Sequence, residues 1–252
     1  MKPGGAMHIA AVAAFLLSAA AALAAGIAGP GYRAGWWGFR QGFDILRWAA
    51  YLGAAGAAAS ILAAIFTRPG SGRRGFAAAL AGIALGATAF GVPYGWSRIA
   101  GQVPRIHDIT TDTDDPPAFV AILPLRKDAP NPAEYGGPEI AAKQRAAYPD
   151  IRPFKTGIST SRAYEAALVT AERMKWEVVE ENPAEGRIEA VATTRWFGFK
   201  DDVVIRISPT AEGGCVLDIR SVSRVGISDV GANARRIRAF LGRFAKTAGS
   251  GG

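Results

Sequence analysis

Three apolar runs of about twenty residues each, Ile9–Ala28, Ile45–Phe66 and Phe76–Trp96, lie within the first hundred positions of the chain. An α-helix rises ~1.5 Å per residue and the hydrocarbon core of a bilayer is ~30 Å thick, so each run is long enough to span it. Lipid offers no partner for a bare backbone N–H or C=O, so a lone spanning segment must be helical. The one charged residue inside these runs is Arg47, close enough to the start of the second to reach back to the interface. Residues 1–100 are therefore expected to form a membrane region with helices at about 9–28, 45–66 and 76–96. Lys2 and His8 precede the first run, and Ala22-Leu23-Ala24 has the form of a signal-peptidase site. A twenty-residue run is long for a signal peptide, and we expect an uncleaved span.

The formal net charge of +8 is distributed unevenly. Of 29 basic and 21 acidic residues, eight and one respectively precede Arg105, leaving 21 and 20 from Arg105 onward. The excess thus flanks the apolar runs, where membrane lipids with anionic headgroups are the natural partners. The remainder is close to neutral, which argues against nucleic-acid binding, since that requires a surplus of cations to displace counterions. A single cysteine, Cys215, excludes an intrachain disulfide and a cysteine-based zinc site.

Between the first two runs, Gly29–Asp44 interleaves aromatic residues with Arg33 and Arg40 and reads as a loop along the headgroup layer. The second connector, Thr67–Gly75, is a short turn carrying Arg68, Arg73 and Arg74. Placing that compact basic turn in the cytoplasm, with an odd number of spans, leaves the rest of the chain outside an inner membrane, in the periplasm. Gly82 and Gly86 in the third run, with Ala49, Gly53 and Ala57 in the second, have spacings that permit close backbone approach.

Beyond Pro104 the pattern is that of a soluble α+β domain, expected over 105–246, with a disordered tail at 247–252. Ile106–Thr111 and Ala118–Leu123 are short strand candidates, and Glu139–Ala147 a short helix. Ser161–Lys175 is amphipathic, with Tyr164, Ala167, Leu168, Ala171 and Met174 on one face and N-cap residues at Ser159–Ser161. Four strands follow, Trp176–Glu181, Arg187–Phe197, Asp202–Ser208 and Cys215–Val225, separated by turn residues, which predicts an antiparallel meander. A final helix over Asp229–Ala245, with Ser228 as N-cap, completes an α-β-β-β-β-α unit with two helices on one sheet face. Alternation turns Cys215, Leu217 and Ile219 toward those helices and Asp218, Arg220 and Arg224 away, making the second face polar and mixed in charge.

Two stretches are candidate ligand sites. Arg220, Arg224, Ser228, Asp229 and Asn233 run from the last strand through a turn into the last helix, where arginines beside a helix N-terminus suit an anion. Self-capping by Ser228 and Asp229 is the competing account. Trp196, Phe197 and Phe199 surround a hairpin and form either a contact surface or a plug for the core. The acidic loop Asp112, Asp114 and Asp115 lacks the glycine and terminal glutamate of a calcium loop, so a solvated loop is expected, and no metal site. Nucleophile elbows, Walker loops, zinc-protease and dinucleotide motifs are all missing, and only His8 and His107 are available for acid–base work. No catalytic residue and no cofactor is assigned.

Ile106-His-Asp-Ile-Thr-Thr111, Tyr148-Pro-Asp-Ile151, Gly186-Arg-Ile-Glu-Ala190 and the stretch Arg220–Arg236 carry a resemblance to a bacterial and plastid family known as domain-of-unknown-function family number 1499. The last stretch has the long form R-S-x-S-R-x-G-x-S-D-x-G-x-N-A-R-R-I. The resemblance spans about Ile106 to Phe244 and implies a domain often preceded by hydrophobic spans, with no activity attached. The expected role is a membrane protein whose domain binds or scaffolds an envelope component, whether lipid, glycan or protein. An envelope hydrolase or transferase using carboxylates, and an accessory subunit of a membrane complex, are the alternatives.

Overall fold

A computed structural model describes residues 8–249, so Lys2 and the last three positions of the expected tail lie outside the described residues. The chain divides into two compact units. Among the described residues, the first comprises 8–99 with 195–198, the second 100–194 with 199–249.

The first unit contains α1 (Ile9–Arg33), α2 (Phe39–Phe66) and α3 (Phe76–Ala100), all long and apolar enough to cross a membrane. The expected interfacial loop at Gly29–Asp44 is mostly helical instead, because α1 and α2 extend into it and leave 34–38 as the turn. The Trp37 indole folds back over Gly31, where a side chain would collide with it, and donates to Ala28 O at 2.9 Å. Small residues bring the backbones together. A Cβ placed on Gly86 would lie 2.5 Å from Gly53 O and 2.7 Å from Ala57 N. Ser18 packs against Gly56, and Ser60 against Gly82.

The second unit holds β1 (Asp108–Thr110), a 3-10 turn at Leu123–Arg126, α4 (Gly137–Ala147), β2 (Phe154–Thr156), α5 (Thr160–Arg173), β3 (Glu177–Asn182), β4 (Arg187–Thr193), β5 (Lys200–Pro209), β6 (Cys215–Ser223) and α6 (Ala232–Gly249). Its antiparallel sheet has the order β1-β6-β5-β4-β3. The expected four-strand meander is β3 to β6. Two three-residue strands extend it, with β1 paired to Arg220–Val222 and β2 to Cys215–Leu217 of β6. The register of β3 on β4 shifts between Val178 and Glu180, so β3 closes the sheet with an irregular edge.

Strand alternation sorts the side chains. Ile188, Ala190, Val203, Ile205, Leu217 and Ile219 pack against Tyr164 and Ala167 of α5 and against Ile237, Phe240 and Phe244 of α6. Phe240 stacks on Trp176 with ring centroids 5.3 Å apart. Truncating either buried phenylalanine of α6 to alanine is worth about 3–5 kcal/mol. Val191, Val204 and Val222 point to the opposite face and meet Phe119 and Ile122 of the segment 111–135, which lies across the sheet as a strap.

Ala118–Leu123 does not form a strand. The N–H groups of Val120, Ala121 and Ile122 all donate to the Glu189 carboxylate, at 2.8, 3.2 and 2.9 Å. Successive N–H groups of a strand point to opposite sides, so three converging on one carboxylate require a turn. Ser159 caps α5 by accepting from Arg162 N at 3.4 Å. The last helix starts later than its sequence suggests, because Val230 (φ 52°) and Gly231 (φ 73°) adopt left-handed backbone and insert a further bend. It also runs through Gly249, so Thr247–Gly249 are helical and not part of a disordered tail.

Candidate functional site

The strap is held by arginines that alternate with valines on the same sheet face. Arg220, on β6, places Nε 2.9 Å from Asp108 Oδ1 and Nη2 2.7 Å from Oδ2. It also donates to Pro117 O at 3.2 Å and Ala133 O at 2.7 Å. Its guanidinium lies 5.1 Å from the Phe119 ring centroid and 5.4 Å from that of Tyr135. Arg224 grips the fully buried Asp202 through Nε and Nη2 and donates to Leu125 O at 2.9 Å. Arg126, reaching up from the strap, pairs with the same Asp202. On β5, Arg206 contacts Asp112, Asp115 and Asp218 at 3.2, 2.8 and 3.2 Å. The acidic loop therefore surrounds a guanidinium.

The turn into α6 is likewise satisfied from within. Ser228 Oγ donates to Pro104 O at 3.4 Å and accepts from Val230 N at 3.2 Å. The Asp229 carboxylate accepts from Gly231 N at 2.8 Å and Asn233 N at 2.6 Å, so Asp229 rather than Ser228 caps the helix. Asn233, fully buried, accepts from Ser221 Oγ at 2.7 Å and donates to His107 O and Ser223 Oγ, both at 3.0 Å. Arg236 joins this group and pairs with Asp201. The five residues of the stretch thus divide among the strap face, the turn and the helix-facing end of the sheet.

Burial dominates the titration of these acids. It pushes Asp108 above the ordinary carboxylate range against the pull of Arg220, and Asp218 likewise against Thr111 and Arg206. Asp229 is raised by burial despite its two backbone donors. Tyr135 is pushed up to about 12 by burial and by Asp108, and its hydroxyl has no hydrogen-bond partner among the described residues. Burial also raises the Cys215 thiol, which suits a packing role on the helix-facing side of β6.

The aromatic hairpin is split. Trp196 and Phe197 belong to the first unit, where the Trp196 indole donates to Gly26 O at 3.3 Å and Phe197 stacks on Phe43 with centroids 5.2 Å apart. Phe199 belongs to the second unit, half-buried, its N–H donating to Thr194 Oγ1 at 2.8 Å.

Clefts open on the second unit, one of them beside the acidic loop weighed above as a cation site. One, of about 270 Å³, is lined by Thr111–Asp114, Arg145, Tyr148 and Arg152 among others. Its walls carry both signs of charge, and Arg145 already bonds Thr113 and Asp114. The other, of about 280 Å³, is lined by Thr170 and Arg173 of α5 and by Arg243, Lys246 and Thr247 of α6. No carboxylate lines it. The spacings of three and four residues that put these side chains on one face of each helix were legible, but not which two faces adjoin.

A family model described as "Protein of unknown function (DUF1499)" matches residues 108–244. This interval includes the whole sheet, the strap and both clefts apart from the last two residues of α6 that line the second. No curated protein matches the chain.

Proposed function

The chain belongs to the DUF1499 family of proteins of unknown function, and on that premise we propose that it is an inner-membrane protein whose α+β unit stands in the periplasm and binds an envelope component. The three apolar helices support the anchoring, and the basic turn at Arg68, Arg73 and Arg74 supports the orientation.

One observation carries the binding part of this reading, namely how the arginines are employed. Arg126, Arg187, Arg206, Arg220, Arg224, Arg236 and Arg238 each pair with carboxylates of the same unit. Arg173 and Arg243 make no ion pair among the described residues, and both line the cleft at the ends of α5 and α6. The internal network fixes the strap and consumes the cations first expected to meet a ligand, so the ligand-facing role passes to the helix layer. Two arginines without an internal carboxylate, brought together at one accessible cleft, equip the domain for an anionic partner.

The test is a reporter fused after Gly249 that is active on only one side of the membrane. Activity on the periplasmic side supports the reading. Activity on the cytoplasmic side overturns it and redirects attention to cytoplasmic partners.

A further inference from the structure

We infer that the cleft between α5 and α6 is a phosphate-binding site, taking a phosphate group carried either by a lipid headgroup or free in solution. This deepens the binding reading above and rests on it. Arg173, Arg243 and Lys246 line the cleft together with two hydroxyls, Thr170 Oγ1 and Thr247 Oγ1, which lie 3.5 Å apart. Thr170 donates its proton to Ala166 O at 2.7 Å, so it cannot also donate to Thr247, and the Thr247 hydroxyl can turn its own proton either to Thr170 Oγ1 or to a ligand oxygen. The guanidinium groups of Arg173 and Arg243 and the Thr247 hydroxyl offer donors to one small volume. That matches a tetrahedral anion with three or four acceptor oxygens, and phosphate is the group for which arginine forks are best shaped.

Cations near a helix C-terminus have a simpler explanation in the helix dipole, which favours positive charge there. It accounts for Arg173 and Lys246, which stand in the last turns of α5 and α6. It does not account for Arg243, because the effect decays within one turn and α6 continues to Gly249. Nor does it account for the composition of α6, which carries Arg235, Arg236, Arg238, Arg243 and Lys246 and no acidic residue at all. Arg236 and Arg238 have carboxylate partners, Asp201 and Asp150. Arg243, which lines the same cleft as Arg173, has none among the described residues, and like charges brought together repel unless an anion lies between them.

The experiment uses the full chain in detergent and measures equilibrium binding of radiolabelled inorganic phosphate. The wild-type chain is compared with the Arg173→Gln/Arg243→Gln double variant, in which both changes are at exposed positions away from the core. Binding by the wild type, weakened about tenfold or more in the variant, is the expected result. The second arm places the chain in phosphatidylcholine nanodiscs with or without phosphatidic acid and follows displacement of the label. Displacement identifies a lipid headgroup as the source, and retention identifies free phosphate. Equal binding by wild type and double variant, or no binding of either probe, overturns the site. A periplasmic reporter with no phosphate binding removes this site and leaves the anchored binding domain standing, whereas a cytoplasmic reporter with phosphate binding does the reverse.

Discussion

Asp108 and Arg220 meet as a two-pronged pair, one carboxylate oxygen on Nε at 2.9 Å and the other on Nη2 at 2.7 Å, with both side chains buried. The pair closes the sheet at β1 and holds the strap through Pro117 O and Ala133 O. Removing one partner from such a pair leaves a desolvated charge with no counter-charge, which costs more than the pair contributes.

Asp108→Asn is therefore expected to destabilise the second unit by about 3–5 kcal/mol. Thermal or denaturant unfolding of the detergent-solubilised chain, followed by the fluorescence of buried Trp176, reads this out. The double change Asp108→Leu/Arg220→Met is expected to cost less than Asp108→Asn alone. A double variant as unstable as the single one would mean that the strap contacts of Arg220, and not its charge, dominate.

The Tyr135 hydroxyl produces an alkaline pH dependence. Its folded value of about 12 lies above the ordinary phenol value of ~10, so between the two the unfolded chain releases a proton that the folded chain retains. Stability consequently falls as pH rises through that window. Tyr135→Phe removes this contribution and also an unpaired buried hydroxyl, so it flattens the alkaline fall and leaves stability at neutral pH unchanged or slightly higher. Tyr148 and Tyr164, also raised by burial, retain part of the slope. Melting temperatures measured from pH 7 to 12 would show the change, and identical curves for variant and wild type would refute it.

In the apolar helices, the close approach of α2 and α3 depends on the absence of side chains at Gly53 and Gly86. Gly86→Leu places bulk where even a Cβ would sit 2.5 Å from a backbone oxygen, so the two helices must separate. A disulfide between cysteines introduced on the facing sides of α2 and α3 would form less readily in the Gly86→Leu background. Undiminished cross-linking would show that the helices associate through other contacts.

The three N-terminal helices were legible as long uninterrupted apolar runs, and α5, α6 and β3–β6 because periods of 3.6 and 2 repeat far enough to be recognised. The strap was not legible. Its 3-10 turn at Leu123–Arg126 follows three N–H groups gathered by Glu189, a residue 67 to 69 positions away. Three residues each in β1 and β2 are too few to establish a period. The mixed charge of the second sheet face was read correctly from alternation, but the partners of those charges were not, since Asp108 and Arg220 lie 112 positions apart. The same limit hid the α5–α6 cleft, whose basic residues are evident on each helix but meet only in the tertiary fold.

The irregular strand β3 has one further consequence. As the strand that ends the sheet, it offers backbone groups to which another chain could add a strand of its own. Its sequence Glu-Val-Val-Glu-Glu-Asn places acidic side chains along that margin, and the shift between Val178 and Glu180 breaks the regular spacing an incoming strand would need. Confinement to a membrane restricts copies of a protein to two dimensions and raises how often they collide. In a chain held at a membrane, such a charged, bulged margin would oppose the conversion of those collisions into sheet-to-sheet polymerisation.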